Sequence, residues 1–126
     1  PEIATNCGEI FITMAQSPRS FVGELEFITS MGHGRTGRER RELGVKTKGP
    51  TRLITDLCVF EPDPETSEMS VVSIHAGVTR EKIQDNTGWP VRYAGQVQET
   101  PEPTVEELAV LRDIQARTKK AHGGAA

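Results

Sequence analysis

The chain has 126 residues and a formal net charge of −3, and 35% of its residues are hydrophobic. That suits one modest domain, or part of a larger one, with a limited core. The near-balanced charge argues against a dedicated nucleic-acid binder, which would be clearly basic. No apolar run approaches the roughly eighteen residues of a membrane span. No charged-then-apolar leader opens the chain. A start at Pro1 that leads quickly into strand-like sequence predicts a piece of a longer polypeptide.

In chain order, Glu9–Ala15 (EIFITMA) is apolar and β-branched and predicts a strand, broken by Ser17-Pro18. Ser20–Thr29, with Phe21, Leu25, Phe27 and Ile28, is also strand-like. Residues 30–50 are glycine-rich and charged, and predict a long loop with at most a short helix at Arg38–Leu43. Thr51–Pro62 carries the near-continuous apolar run LITDLCVF and predicts one strand, buried on both faces as in an α/β sheet. Pro62–Met69 predicts a turn, pairing that strand with Ser70–His75 as a hairpin. Thr79 is placed to cap a short helix over Arg80–Thr87, with Ile83 inward and Lys82 and Gln84 outward. Gly88 and Pro90 end it, and VRYAGQV predicts a short last strand.

QETPEPT then reads as a proline-rich linker. Thr104 with Glu107 spells a capping box for a last helix, whose apolar stripe is Val105, Leu108, Leu111 and Ile114. The tail AHGGAA is expected to fray. Residues 1–100 are therefore assigned to one α/β unit and 101–126 to a C-terminal helix and tail.

Gly32, Gly34 and Gly37 spell G-x-G-x-x-G after an apolar run, with Asp56 about twenty residues on. A dinucleotide site needs the following helix to pack an apolar face on the sheet. RERREL offers only Leu43, and four consecutive charges from Arg38 leave no stripe, so that reading is set aside. The basic residues Arg35, Arg38, Arg40, Arg41, Lys46 and Lys48 outnumber Glu39 and Glu42 there. They read either as a solvated loop or as a contact for a phosphate-bearing ligand or partner subunit.

His33, between two glycines, could be presented by a flexible loop, although a surface histidine is the plainer reading. His75 reads as a turn or packing histidine, and His122 falls near the tail. Cys7 and Cys58 lack CxxC spacing and read as buried thiols of a reducing cytosol, with a disulfide as the alternative. No spacing of His and Cys predicts a metal. Ser17, Ser20 and Ser30 lack a nucleophile-elbow setting. Glu24 and Glu26 share a face as paired carboxylates do, but read as a solvated face. Trp89 reads as a packing anchor. Residue types alone assemble no active site.

A longer string is informative. RLITDLCVFEPDPETSEMSVVSIHAGVTREKIQDNTGWPV resembles the C-terminal region of β subunits of family I CoA-transferases. Its pieces are Leu53–Phe60, Met69–His75, Ala76–Thr79 and Glu81–Gly88, with Ala76 where a proline is common. Upstream, RSFVGELEFITSMGHG resembles a stretch of the glutaconate CoA-transferase branch, with Met31 in the usual proline place. ETPEPTVEELAVLR resembles the same branch. The resemblance implies an open α/β sheet with helices packed on it, here a partial domain, and makes the glycine stretch a loop between two strands.

It also implies a function. A CoA-transferase passes CoA from an acyl-CoA thioester to a carboxylic acid through a nucleophilic glutamate, with no cofactor beyond coenzyme A as substrate. That glutamate and the family's glycine-rich oxyanion loop belong to the missing N-terminal half of the β subunit, so no catalytic residue is assigned in this chain. The resemblance implies partners in an α subunit and that missing half, and a cytoplasmic location. Arg19, Ser20 and Phe21, after the first strand, and His33 and Arg35, in the loop, are the expected substrate-binding residues. Arg19 would pair the acceptor carboxylate. The alternatives are a CoA-ester or ring-opening hydrolase of the same fold family and a non-catalytic assembly subunit.

Overall fold

A computed structural model describes residues 2–123. After a short helix α1 (Glu2–Asn6), the described residues build five strands: β1 (Ile10–Thr13), β2 (Pro50–Ile54), β3 (Cys58–Pro62), β4 (Met69–Ile74) and β5 (Arg92–Glu99). Helix α2 (Glu39–Glu42) lies between β1 and β2, α3 (Arg80–Asp85) between β4 and β5, and α4 (Val105–His122) follows the sheet. The strands form one open sheet in the order β1-β2-β3-β4-β5. The inner pairs β2–β3 and β3–β4 are antiparallel, and the outer pairs β1–β2 and β4–β5 are parallel. The expected open α/β sheet is therefore present, and the glycine stretch does lie in a loop between two of its strands.

The run expected to form one strand over Thr51–Pro62 instead folds back on itself. β2 ends at Ile54, and β3 starts at Cys58 and returns antiparallel, pairing Ile54 with Val59. Thr55 makes the reversal. Its Oγ1 accepts from the backbone N–H groups of Leu57 and Cys58, both at 3.0 Å, and its own N–H donates to the Cys58 carbonyl. A threonine hydroxyl can close a turn of this kind without glycine or proline. Leu57 is buried at the turn, which is why the run stays apolar through it.

The segment Ser20–Thr29 is a second departure, because it forms no strand. Phe21 drops into the core, while Leu25, Phe27 and Ile28 remain exposed. Without a neighbouring strand to pair its backbone, apolar spacing alone does not make a strand.

Other local expectations match. Asp63 Oδ1 accepts from the amides of Glu65 and Thr66, each at 2.9 Å, and so shapes the turn between β3 and β4. Thr79 caps α3 by accepting from the Lys82 amide, and Ile83 is fully buried. Thr104 and Glu107 form the reciprocal capping box of α4. The last strand, β5, runs to Glu99 and is longer than VRYAGQV. The expected frayed tail falls partly on α4 and partly outside the described residues.

The core is one cluster of Phe21, Leu57, Cys58, Phe60, Val71 and Ile83, with Trp89 and Tyr93 packed against it. Phe21 stacks on Trp89 with centroids 5.7 Å apart and meets Phe60 at 6.0 Å, so Trp89 is an anchor. Cys58 is buried and its thiol is pushed up to about 11 by that burial, whereas Cys7 is only half-buried; both are free. Helix α4 buries none of its residues, and Val105, Val110, Leu111 and Ile114 are all exposed. No described helix is long and apolar enough to cross a membrane.

Candidate functional site

Two polar hubs flank the first strand, and one of them backs an open cleft. The first hub lies at the C-terminal ends of β1 and β2. Gln16, 5% exposed, donates from Nε2 to Thr87 Oγ1 at 2.8 Å and to the Ile83 carbonyl at 3.4 Å. Its Oε1 accepts from Thr55 Oγ1 at 2.9 Å and from Cys58 Sγ at 3.5 Å. One side chain thus joins the end of β1, the β2–β3 turn and α3. The Gln16 backbone N–H donates to Asp56 at 2.7 Å, and that bond above all holds the Asp56 carboxyl below its ordinary range. His75 spans the same turn from the far side, donating from Nε2 to the Thr55 carbonyl at 2.9 Å while Nδ1 meets Thr100 Oγ1. It is a packing histidine.

The second hub is Arg40, 6% exposed, on the short helix α2. Its guanidinium meets no carboxylate among the described residues. Nε donates to the Thr47 carbonyl, Nη1 to the carbonyls of Met31 (3.4 Å) and Gly32 (3.1 Å), and Nη2 to the Thr5 carbonyl and to Thr47 Oγ1. All five N–H groups of the fork are used, which is how a buried charge avoids the cost of an unmade bond. Gly49 has φ +73°, which favours glycine, and a Cβ there would stand 3.0 Å from the guanidinium and crowd it.

Glu39, next to Arg40, ties the preceding turn. Its carboxylate accepts from the backbone N–H groups of Arg35, Thr36 and Arg38 and from Thr36 Oγ1. Backbone hydrogen bonds, from its own amide first and then from Thr36 and Arg35, pull its carboxyl down to about 2. Gly34, at φ +84°, lies so close under this carboxylate that any Cβ would overlap it.

Between these anchors the loop forms an open cleft of about 690 Å³. Leu25, Ile28 and Leu43 give it apolar walls, and His33, Arg35 and Glu39 stand among its polar residues. The volume falls within the range of small-molecule sites, and an apolar wall with a few polar groups is their usual make-up. His33 Nε2 lies 2.5 Å from the Pro50 carbonyl. A carbonyl only accepts, so Nε2 carries the proton, and Nδ1 has no hydrogen-bond partner among the described residues. The half-buried His33 is thus pinned to the first residue of β2.

Of the five expected substrate-binding residues, His33 and Arg35 share this cleft. Arg19, Ser20 and Phe21 do not line it. They form the turn after β1, closed by the Ser20 and Phe21 amides donating to the Ser17 carbonyl. Arg19 is exposed, Ser20 Oγ bonds the Ala15 carbonyl at 3.2 Å, and Phe21 is 2% exposed in the core. Sequence reasoning does not single out Arg40, Glu39 or the apolar wall. The run Arg38–Arg41 hides them, because four charges in a row do not say which one turns inward. Among the described residues no group of His, Cys, Asp and Glu could hold a metal ion.

The coenzyme A transferase family model matches residues 1–86. A 3-oxoadipate CoA-transferase subunit from Pseudomonas knackmussii is 52% identical over 98% of this chain, an alignment covering 47% of that relative. A cholesterol ring-cleaving hydrolase IpdB subunit from Rhodococcus jostii is 33% identical over 63 residues, 50% of this chain and 25% of that relative. The chain therefore spans about half the length, or less, of these relatives. Among solved structures, glutaconate coenzyme A-transferase from Acidaminococcus fermentans matches with TM-score 0.76 at 24% identity, covering 88% of this chain and 42% of that one. Rhodococcus jostii IpdAB matches with TM-score 0.66 at 24% identity, covering 83% and 41%. At such identities the structural matches speak for the fold.

Proposed function

The chain belongs to the coenzyme A transferase family, and from that premise we propose that it is part of a β subunit that moves CoA between an acyl-CoA thioester and a carboxylic acid. The observation that carries this reading is the 52% identity to a 3-oxoadipate CoA-transferase subunit along 98% of the chain. The cleft supports it with an apolar wall for a carbon chain beside the cationic Arg35 and the pinned ring of His33. Carboxylates are well matched by arginine forks. Arg19, exposed on the turn after β1, is the second cation offered to an acid, with Ser20 beside it. Phe21 supports that turn from the core.

The remainder of the β subunit and an α subunit are the proposed partners, in the cytoplasm. Coenzyme A serves as substrate, with no further cofactor. The covalent step falls to a glutamate contributed by the rest of that assembly, and this chain supplies scaffold and part of the substrate wall. A ring-opening hydrolase is the second reading, favoured by the 33% identity to the ring-cleaving IpdB subunit over half the chain.

One assay tests transfer. Hydrolysis of the thioester would release CoA without the acid, whereas ring opening breaks a carbon–carbon bond, leaves the thioester intact and would give neither transfer nor free CoA. The assembled complex is given an acyl-CoA donor with and without 3-oxoadipate. Transfer predicts acyl-CoA formation on the added acid and little free CoA without it. Free CoA released at the same rate with or without the acid would overturn the transfer reading.

A further inference from the structure

The Arg40 clamp does more than hold a loop together. Its Nη1 takes two successive backbone carbonyls, Met31 and Gly32, and so fixes two neighbouring peptide planes. Every described peptide bond is trans, and in a trans peptide the N–H points opposite to the C=O. The amides of Gly32 and His33 therefore turn away from the guanidinium and its buried side. Neither has a hydrogen-bond acceptor among the described residues. Both residues line the cleft, and a Cβ on Gly32 would meet nothing within 4 Å, so the space beside it is open. Successive N–H groups facing a concavity make a site for an anion.

The surrounding charge agrees. The Glu39 carboxylate is turned onto the amides of Arg35, Thr36 and Arg38, while the exposed Arg35 side chain makes no ion pair among the described residues.

We propose that the backbone N–H groups of Gly32 and His33 are a carboxylate-binding pair in the cleft, aimed by Arg40 as their positioning residue. Leu25, Ile28 and Leu43 would then receive the carbon chain behind the carboxylate. The inference rests on the reading of this protein as one that handles a carboxylic acid, and it names where that acid is held. Arg40 touches no ligand and acts through the two peptide planes.

The test is an amide-resolved NMR titration of the ¹⁵N-labelled full chain with glutarate, using neutral glutaramide as the control. The Gly32 and His33 resonances are expected to move together and saturably with glutarate and to stay still with glutaramide. Thr36, whose amide Glu39 already occupies, should stay still with both. Arg40→Lys keeps the charge but loses the fork, and is expected to weaken glutarate binding by about tenfold, one charge-assisted contact's worth. In the assembled enzyme it should raise KM for the acid more than it lowers kcat. Unmoved Gly32 and His33 amides in the unaltered chain would overturn the proposal, as would unchanged affinity in a folded Arg40→Lys protein. Failure of CoA transfer with these amide shifts intact would sink the transfer reading alone. Transfer without the shifts would sink this inference alone.

Discussion

Gln16 and Arg40 use the same device in two unlike settings. Each is a long polar side chain, nearly buried, with its hydrogen-bonding capacity used by neutral partners. Gln16 sits against the apolar cluster and joins elements 39 to 71 residues apart in sequence. Arg40 sits under a polar loop, and most of its partners lie within 9 residues, Thr5 being the distant one. The difference teaches what each can control. Breaking a hub in the core frees buried groups that water cannot reach, so the cost falls on the whole fold. Breaking a hub under a loop frees carbonyls near the surface that water can re-bond, so the cost falls on the shape of the cleft.

The comparison predicts an order of effects. Gln16→Leu should cost about 2 to 3 kcal/mol of global stability, because Thr55 and Thr87 lose a buried partner. Thermal denaturation should show a drop on the order of 10 °C. Arg40→Met should cost roughly 1 to 2 kcal/mol globally, since part of its bonding passes to water. Hydrogen exchange should nevertheless speed up strongly over residues 30–49 while the sheet amides keep their protection. Equal loosening of sheet and loop would break the distinction between the hubs. Gly49→Ala should cost about 1 to 2 kcal/mol through its left-handed backbone and the guanidinium above it. In an Arg40→Met background only the backbone part should remain, so a double-mutant cycle should read the pair as coupled.

A pH series tests the core hub separately. The Cys58 thiol is raised from 9.0 to about 11 in the fold, chiefly by burial. Its contribution is fully present below pH 9 and is lost as pH rises through about 11, so Cys58→Ser should flatten the alkaline end of the stability profile. The smallest effect belongs to α4. Leu111→Ala with Ile114→Ala should change the stability of this chain by less than about 0.5 kcal/mol, as both side chains are exposed. A larger loss in the assembled complex than in the isolated chain would assign that helix to an interface.

How much of this was legible in the sequence follows from where the bonds lie. Features closed by neighbours could be read: the Thr79 cap, the Thr104–Glu107 box, and the turn shaped by Asp63. The rejection of a nucleotide loop was also readable, because a helix with only Leu43 on it cannot pack on a sheet. The Thr55 turn was not legible, since a hydroxyl replaced the usual glycine and Leu57 kept the run apolar through the reversal. The Ser20–Thr29 stretch misled because its apolar residues have strand spacing but no strand beside them. At the cleft, His33 and Arg35 stood out by their place among glycines. Arg40 did not, because its role depends on carbonyls of Thr5, Met31, Gly32 and Thr47, and carbonyls are invisible in a residue string.

The antiparallel centre and parallel flanks of the sheet also set an order of assembly. The central meander of β2, β3 and β4 is contiguous over residues 50–74, joined by two short turns, and its loop-closure entropy is small. The outer strands are different, because a parallel partner must be reached by a chain that has travelled back the length of the sheet. For β1 that excursion is the whole of residues 14–49. The meander is thus the natural nucleus, with β1 and β5 docking later at rates set by their longer returns. Since the Gln16 bonds can close only once β1 has docked, that residue should register in the unfolding rate far more than in the folding rate.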